Sequence, residues 1–196
     1  MSEIKVSISS WEETILNKLE KSSLGAEPWR VVCVESVDST MDEARLYLPT
    51  LSADEALLLI ARDQKRGRGR QGRSWNSCDG NLYVTYVFNC ANKARSLSGL
   101  SLGVGLSIAN AIKALGCDVR IKWPNDLLIG GKKIGGVLCE SKNVGSQHFM
   151  AIGVGLNVNM TKEVLEQIGR PATSIIVETG EAASVESVKQ SSDRRY

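Results

Sequence analysis

Arginine and glycine alternate in the stretch DQKRGRGRQGRSW, which spans residues 63–75. Five cations fall within nine consecutive positions: Lys65, Arg66, Arg68, Arg70 and Arg73. A guanidinium group is a permanently charged, planar fork of donors that fits phosphate or carboxylate, and glycine lets the backbone come close to a ligand. Because like charges repel, we expect this loop to be mobile until an anion neutralises it. The stretch therefore predicts an anion-binding loop.

Other interpretations of the same loop have to be compared with this one. Gly67, Gly69 and Gly72 fit the G-x-G-x-x-G pattern of dinucleotide sites. That pattern should lead directly into a helix, whereas here it runs into the turn residues RSWNSCDGN, which argues against it. Arginine-glycine tracts with an aromatic residue also bind RNA, and a charged loop can simply be solvated. The loop alone leaves these last two interpretations open.

Length and composition restrict the class of protein. A chain of 196 residues is long enough for one domain with a substantial core. Hydrophobic residues make up 42% and charged residues 23%, which is ordinary for a globular protein and excludes wholesale disorder. The formal net charge is only +2, so the basic loop is a local concentration of charge. This balance argues against a general nucleic-acid binder.

The cysteines and the apolar segments indicate a compartment. The five cysteines are scattered without a C-x-x-C pair, and with a single histidine they form no zinc motif. Scattered free cysteines suit a reducing compartment. The first residues carry no secretory apolar core, and the apolar segment 97–115 contains serines, Asn110 and Lys113, which favours a helix packed on a sheet over a membrane span. We expect a cytoplasmic protein with no membrane partner.

Residues 1–28 are expected to contribute a packing helix to the same domain. Ser9 or Ser10 with Glu12 or Glu13 forms a capping-box pattern. An apolar face follows it, made of Trp11, Ile15, Leu16 and Leu19. So few residues precede the first functional-looking turn that a winged-helix domain does not fit, and we expect no DNA partner.

The remaining pattern predicts a single α+β domain. Strands are expected over residues 29–35, 56–61, 81–90, 119–123, 127–129, 132–141 and 148–158. Helices are expected after Thr40, where Glu43 completes a second capping box, and over residues 97–115. The order α-β-α-β-β-α-β-β-β points to a mixed, largely antiparallel sheet flanked by helices.

Several segments with ligand-binding chemistry stand at the ends or inside these strands. Ser39 and Thr40 begin a helix, where free backbone N–H groups can bind an anion or an amide, although a simple N-cap is the more common role of such a pair. Gly135 and Gly136 lie inside a strand, which marks a bulge or a ligand lying on bare backbone.

Two motifs together carry a family resemblance. GRGRQGRSW (67–75) and KWPNDLLIGGKKIGGVLCES (122–141) closely resemble the biotin–protein ligase family, and ESVDSTMDEA (35–44) and GVGLNVN (153–159) follow the order of that family. The resemblance implies a catalytic domain over residues 29–180 with the fold of the biotin/lipoate ligases, similar to class II aminoacyl-tRNA synthetases. It also implies the reaction: biotin and ATP give biotinoyl-AMP and pyrophosphate, and biotin is then transferred to a lysine of a biotin carboxyl carrier domain.

The resemblance also implies roles for individual residues. Joining a carboxylate to a polyphosphate brings two anions together, so the site needs fixed cations. The catalytic residues implied are Lys122 and Arg70. Those implied for biotin are Ser39, Thr40, Met41, Gln64, Arg68, Gly69, Arg70, Lys122, Gly136 and Val137. Those implied for ATP and the adenylate are Gly67, Arg68, Arg70, Trp75, Lys122 and Asn157. Magnesium is implied by the polyphosphate, with few protein carboxylates holding it.

Two departures from the family pattern limit these expectations. Met41 stands where the family commonly has asparagine, so a contact there would come from the backbone. After Ala172-Thr173-Ser174 the family continues into a longer helix and a small β-barrel, whereas residues 181–196 form a polar tail, so we expect the barrel to be absent and transfer to suffer more than adenylation. A lipoate or octanoate ligase of the same fold, or a non-catalytic module that binds biotin or nucleic acid, remains the alternative; the paired motifs favour the biotin ligase.

Overall fold

A computed structural model of the chain describes residues 29–90 and 99–183. The strands are β1 (Trp29–Val37), β2 (Ala56–Gln64), β3 (Gly67–Arg68), β4 (Ser74–Trp75), β5 (Leu82–Asn89), β6 (Val119–Lys122), β7 (Asp126–Ile129), β8 (Lys132–Val144) and β9 (Gln147–Leu156). The α-helices are α1 (Thr40–Tyr47), α2 (Leu100–Lys113), α3 (Lys162–Glu166) and α4 (Ile175–Thr179), and 3-10 turns lie at Leu48–Thr50 and Arg70–Gly72.

Seven of the strands form one sheet in the order β1-β2-β5-β9-β8-β7-β6. β1 and β2 are parallel, because α1 carries the chain back between them, and the other neighbours are antiparallel. The prediction of a mixed, largely antiparallel sheet in an α+β domain is confirmed. β3 and β4 pair only with each other, as a separate hairpin.

Each face of the sheet is covered by a different helix. α1 packs on one face with Leu57, Leu59, Val87 and Phe149, all of them at most 1% exposed. α2 packs on the opposite face, where Ile112 lies among Val119, Leu127, Ile134 and Leu156. Full burial of one such aliphatic side chain contributes about 1.5–3 kcal/mol. These two clusters hold the sheet in place.

Side chains shrink along β9 on the face that carries α1. Because residues two apart in a strand point the same way, Phe149, Ala151, Gly153 and Gly155 share this face. Phe149 and Ala151 pack in the core under α1. The two glycines leave room for side chains from other segments, Met41 at Gly153 and Trp75 at Gly155, and a cleft opens there.

The prediction of a bulge at the paired glycines of β8 is confirmed. The pairing of β7 with β8 joins Leu127 to Gly135 but Leu128 to Lys133, so Ile134 is an extra residue. The bulge changes which side chains share a face: Lys133 and Gly136 are three positions apart, yet they lie on the same side of the strand.

Several other expectations meet a different structure. The predicted N-terminal helix, with Trp11, Ile15, Leu16 and Leu19, lies outside the described residues. The arginine-glycine loop forms the β3–β4 hairpin, whose turn uses positive φ angles at Gln71 (57°) and Gly72 (71°). The sequence pattern predicted neither this hairpin nor the short helices α3 and α4. Within residues 29–90 and 99–183, no helix is long and apolar enough to cross a membrane.

Candidate functional site

An open cleft of about 600 Å³ lies on the glycine-bearing face of the sheet. Its floor is the strand backbone at Gly136, Gly153 and Gly155. Its walls come from six places: the start of α1, the end of β2, the β3–β4 hairpin, the turn before β7, the first half of β8 and the loop between α3 and α4. The residues on these walls include Ser39, Thr40, Met41, Gln64, Arg68, Gly69, Arg70, Arg73, Trp75, Asn125, Asp126, Lys133, Val137 and Arg170.

At one end of the cleft, polar side chains are buried at the start of α1. Gln64 Oε1 accepts hydrogen bonds from Thr40 N (2.8 Å) and Thr40 Oγ1 (3.1 Å), which fixes the direction of the amide. Ser39 is 1% exposed, and its Oγ has no hydrogen-bond partner within residues 29–90 and 99–183. It occupies the N-cap position of α1 but makes no side-chain cap bond, and the capping box expected between Thr40 and Glu43 is not formed. A buried hydroxyl without a partner costs about 1–3 kcal/mol, so a ligand atom is its natural partner.

Met41 fills the floor beside Gly153. A Cβ atom at position 153 would lie 2.8 Å from Met41 Sδ, so any larger residue there would force the Met41 side chain to move. Met41 is 3% exposed. Its thioether therefore packs under the cleft as an apolar surface and offers no amide to a ligand.

Trp75 divides the cleft. Its indole ring lies on Gly155, where an added Cβ atom would come within 2.6 Å of the ring. Its buried Nε1 has no hydrogen-bond partner. Lys133 Nζ lies 5.3 Å from the ring centroid, within the range of a cation–π contact. An aromatic face and a cation thus stand side by side.

Lys133 and Asp126 form an ion pair inside the cleft. Lys133 Nζ donates to Asp126 Oδ1 at 2.6 Å, and the side chains are 19% and 24% exposed. A Cβ atom on Gly136 would be 3.4 Å from Lys133 Nζ, so the ammonium group lies directly above the bare backbone. Asp126 is also the carboxylate that lines this cleft.

Lys122 lies beside the cleft. It ends the edge strand β6, its side chain is exposed, and it is not among the residues that line the cleft. The register pairs it with Asp126, which pairs with Gly136 in turn, and paired residues point to the same side of a sheet. Lys122 therefore faces the side that carries the cleft, and Lys133, from the same sequence motif, lines the cleft itself.

The cations of the hairpin differ in how they are neutralised. Arg66 pairs with Asp38, and its guanidinium group holds the pKa of that carboxyl below its usual value. Arg68 contacts Asp42 (Nε–Oδ2 3.1 Å) and Glu140 (Nη2–Oε2 3.0 Å). Arg70 only approaches Asn125 Oδ1, at 3.5 Å.

Positive charge exceeds negative charge at the cleft. Five cations line it, namely Arg68, Arg70, Arg73, Lys133 and Arg170, against one carboxylate, Asp126, which gives 5 − 1 = +4. The whole chain carries only +2. Such a concentration of guanidinium groups fits a ligand with several phosphate oxygens.

In residues 29–90 and 99–183, no group of three or more His, Cys, Asp or Glu side chains could hold a metal ion.

A smaller cleft behind Trp75 contains Asn157. Its lining also includes Asn76, Lys133, Ile168, Arg170 and Ala172. Asn157 is 4% exposed and donates Nδ2 to Thr173 O at 2.9 Å. Gly67 lines neither of these two clefts; it faces a third, outer one with Lys65 and Arg66, and its lack of a Cβ atom lets it approach Trp75 O.

Sequence reasoning missed some residues that line the main cleft. Asp126 and Lys133 belong to the motif that carried the resemblance. The paired glycines Gly135-Gly136, which are typical of a bulge, could have indicated the side of the sheet to which Lys133 points. Gly153 and Gly155 stood in the GVGLNVN motif as a small-residue stripe. Arg73 was read only as part of the basic loop. For Arg170 the sequence offers no signal.

Comparison with known proteins identifies relatives of the whole site region. The family model for the biotin/lipoate A/B protein ligase family matches residues 33–157, more than half of the chain. The biotin–[acetyl-CoA-carboxylase] ligase of Paracoccus denitrificans is 36% identical over 156 residues, which cover 76% of this chain and 64% of that protein. The chain spans about half the length of other curated relatives. It covers 48% of the bifunctional ligase/repressor BirA of Salmonella typhimurium and 44% of that of Escherichia coli.

Solved structures agree with the sequence relatives. The biotin protein ligase of Leishmania major in complex with biotinyl-5-AMP matches with a TM-score of 0.69 at 29% identity, covering 83% of this chain and 71% of that one. The biotin protein ligase of Aquifex aeolicus in complex with biotin and ATP matches with a TM-score of 0.68 at 33% identity, covering 83% of this chain and 66% of that one. The chain belongs to the biotin/lipoate A/B protein ligase family.

Proposed function

We propose that this chain activates biotin with ATP to form biotinoyl-5'-AMP, and transfers the biotinoyl group to a lysine of a biotin carboxyl carrier domain. The observation that carries the proposal is the polarity of the cleft. One end offers a buried hydroxyl at Ser39 with no partner among the described residues, and five cations line the same cleft. A ligand with an uncharged polar head and an anionic tail fits between them.

Biotin would lie along the glycine floor. Ser39 Oγ would bond its ureido group, next to the Thr40–Gln64 pair that is already fixed by two hydrogen bonds. The bicyclic ring would rest on the bare backbone of Gly136 and on Val137, with Met41 as the apolar base. The side chain would then extend toward Lys133, which places the biotin carboxylate beside a cation.

ATP would occupy the other side of Trp75. The adenine ring would stack on the exposed part of the indole, and Asn157 lies in the small cleft behind it. The unneutralised guanidinium groups of Arg70, Arg73 and Arg170 face the space where the phosphates would be. This arrangement supports ATP over an uncharged second substrate.

We propose that Lys133 shares the catalytic role that the family resemblance implies for Lys122, which is paired with Asp126 on the same side of the sheet. In the first step a biotin carboxylate oxygen attacks the α-phosphorus, and the bond from that phosphorus to the bridging oxygen of the leaving pyrophosphate breaks. Both reactants are anions, so a fixed ammonium group between them lowers the barrier. Lys133 Nζ has the position for this role, and Asp126 holds it there at 2.6 Å.

Magnesium fits this site as a companion of ATP. The ion usually keeps several waters and is bound through one or two carboxylates plus phosphate oxygens, so the single carboxylate Asp126 is enough. It would neutralise charge on the polyphosphate.

In the second step the neutral amine of the acceptor lysine attacks the acyl carbon of biotinoyl-AMP. The bond between that carbon and the phosphate oxygen breaks, AMP leaves, and the amine loses a proton as the amide forms. The openness of the cleft supports access by a side chain from another protein. The free cysteines among the described residues support a reducing, cytoplasmic location for this chemistry.

The test is incubation of the purified chain with biotin, ATP and magnesium, followed by mass spectrometry for biotinoyl-AMP. A biotin carboxyl carrier domain is then added and its mass is measured. We expect adenylate first and one biotin on the carrier second. Adenylate with a bare carrier would restrict the function to activation, adenylate only with lipoate or octanoate would reassign the substrate, and binding without pyrophosphate release would indicate a binding module.

Lys133→Ala and Lys122→Ala are matched variants for this assay. Loss of one preorganised charge in a site of this kind costs about 10²–10³ in rate, which we expect for Lys133→Ala. Lys122→Ala should slow pyrophosphate release as well, because Lys122 faces the same side of the sheet as Asp126 and Gly136. A full rate in either variant would remove that lysine from the catalytic role.

A further inference from the structure

We infer that Asp42, Arg45 and Glu140 are positioning residues that anchor Arg68, and with it the β3–β4 hairpin, over the cleft. This inference rests on the proposed function, because its consequence is retention of the adenylate. None of the three lines the main cleft. They act through Arg68, which does.

The four side chains form a closed ring of ion pairs. Arg68 contacts Asp42 (Nε–Oδ2 3.1 Å) and Glu140 (Nη2–Oε2 3.0 Å). Arg45 contacts the same two carboxylates, Asp42 through Nη1–Oδ1 at 3.0 Å and Glu140 through Nη2. Each carboxylate therefore lies between two guanidinium groups, and the formal charges in the ring cancel.

The Nε atom of Arg68 shows how closely the ring holds it. This atom is buried and lacks an aligned hydrogen bond, although Asp42 Oδ2 is 3.1 Å away. The pair is thus electrostatic in this direction and hydrogen-bonded through Nη2 to Glu140. The guanidinium plane is determined by Glu140 and its charge is balanced by Asp42.

The ring joins three elements that build different parts of the site. Arg68 belongs to β3 of the hairpin, Asp42 and Arg45 belong to α1, and Glu140 belongs to β8. α1 begins immediately after Ser39, the buried hydroxyl at the uncharged end of the cleft. Moving the hairpin away from the sheet requires breaking contacts to both α1 and β8. The ring therefore couples the cover of the cleft to its floor and to its polar end.

The hairpin consequently has an anchored part and a free part. Arg70 and Arg73 have no carboxylate partner within residues 29–90 and 99–183; Arg70 reaches only Asn125 Oδ1, and Arg73 Nε donates to Arg70 O at 3.3 Å. Their charges stay available for phosphate, whereas the charge of Arg68 is already balanced. Loss of one carboxylate charge from the ring would leave two guanidinium groups sharing a single carboxylate, and we expect this to loosen the hairpin.

The decisive variant is Glu140→Gln, with Glu55→Gln as the matched control. Both changes replace a carboxylate that binds an arginine; Glu55 pairs with Arg30 (Nε–Oε1 2.9 Å) at the opposite end of β2 from Gln64. β2 has nine residues, so a distance on the order of 30 Å separates the control from the cleft. Glu140→Asp keeps the charge and serves as the rescue variant.

The first readout is tryptic cleavage at the hairpin arginines without substrates. We expect Glu140→Gln to be cleaved about two- to fivefold faster than the parent chain, the range for loss of a partly exposed ion pair. Added salt should accelerate cleavage of the parent and of Glu55→Gln more than that of Glu140→Gln, since salt screens the pair that the variant lacks. Glu140→Asp should recover part of the protection.

The second readout is the fate of preformed biotinoyl-AMP. We expect Glu140→Gln to release it about two- to fivefold faster and to show a raised KM for biotin, with a smaller change in the kcat of pyrophosphate release. Should Glu140→Gln prove unstable, Arg45→Ala on the surface of α1 tests the same ring.

Unchanged hairpin cleavage and adenylate release in both variants would overturn the inference, as would an equal change in Glu55→Gln. The two proposals fail separately. If the parent chain makes no adenylate, the proposed function fails while the cleavage comparison still tests the ring.

Discussion

At the scale of single residues, the most informative group is the Ser39 hydroxyl, which has no hydrogen-bond partner among the described residues. Ser39 is 1% exposed, occupies an N-cap position and makes no cap bond. Its neighbour Thr40 is committed to Gln64. The fold therefore buries Ser39 Oγ without a partner among the described residues, which costs free energy of folding. A plain N-cap role would not explain this arrangement.

We expect Ser39→Ala to weaken biotin binding about fivefold, because one hydrogen bond contributes about 1 kcal/mol to the binding free energy. The free energy of unfolding should be unchanged or slightly higher, because the variant removes an unsatisfied buried group. Calorimetric titration with biotin and a denaturant melt measure the two quantities. Unchanged affinity, or a clear loss of stability, would show that the hydroxyl has a structural partner instead.

At the scale of elements, the β3–β4 hairpin and the β7–β8 bulge determine the chemistry. The hairpin brings three arginines to the cleft, and its turn depends on positive φ at Gln71 and Gly72. The bulge at Ile134 places Lys133 and Gly136 on one face. In a regular strand, residues three positions apart point to opposite sides, so without the bulge this lysine would face away from the backbone on which biotin is proposed to rest.

We expect Arg70→Gly to retain adenylate formation but to hold the product poorly, because the variant removes a free guanidinium group at the tip of the hairpin. Escaped biotinoyl-AMP acylates accessible lysines, so labelling of a bystander protein should rise clearly. Streptavidin blotting of an added inert protein measures this. Arg120→Gly removes an exposed arginine on β6 and is the control; equal labelling by both variants would contradict the role.

At the scale of the whole molecule, charge is distributed unevenly. The cleft carries an excess of +4 on a chain of +2, so the rest of the surface is slightly acidic. A local field of this kind attracts a polyphosphate from solution, and its range shrinks as ionic strength rises. It also explains why an arginine-rich loop occurs in a protein without the overall charge of a nucleic-acid binder.

We expect the KM for ATP to rise several-fold as NaCl is raised from low to moderate concentration, on the order of 0.02 to 0.3 M, where the Debye length falls well below the width of the cleft. The KM for biotin, which has one charge, should rise much less. Steady-state pyrophosphate release at varied salt gives both constants. Equal slopes for the two substrates would contradict binding of the phosphates by the cation cluster.

Much of this protein could be predicted from its sequence by itself. Alternation in residues 81–90 and the apolar segments predicted the α+β sheet, because strand and helix periodicities are local properties of the chain. Ser39, Thr40, Gln64, Arg68, Arg70 and Trp75 were candidate site residues, because the resemblance of their short motifs to the biotin–protein ligase family implied them. The structure brings all six of them to one cleft.

Only the tertiary structure decided which charged groups meet. It placed Lys133 among the residues that line the cleft, because the facing of a side chain depends on a bulge and on strand pairing, not on proximity in a motif. It brought Arg170 to the mouth of the cleft and closed the ring of Asp42, Arg45, Arg68 and Glu140, whose members lie up to 98 positions apart in sequence. The physical reason is that ion pairs between distant segments exist only after the sheet has set the distances between them.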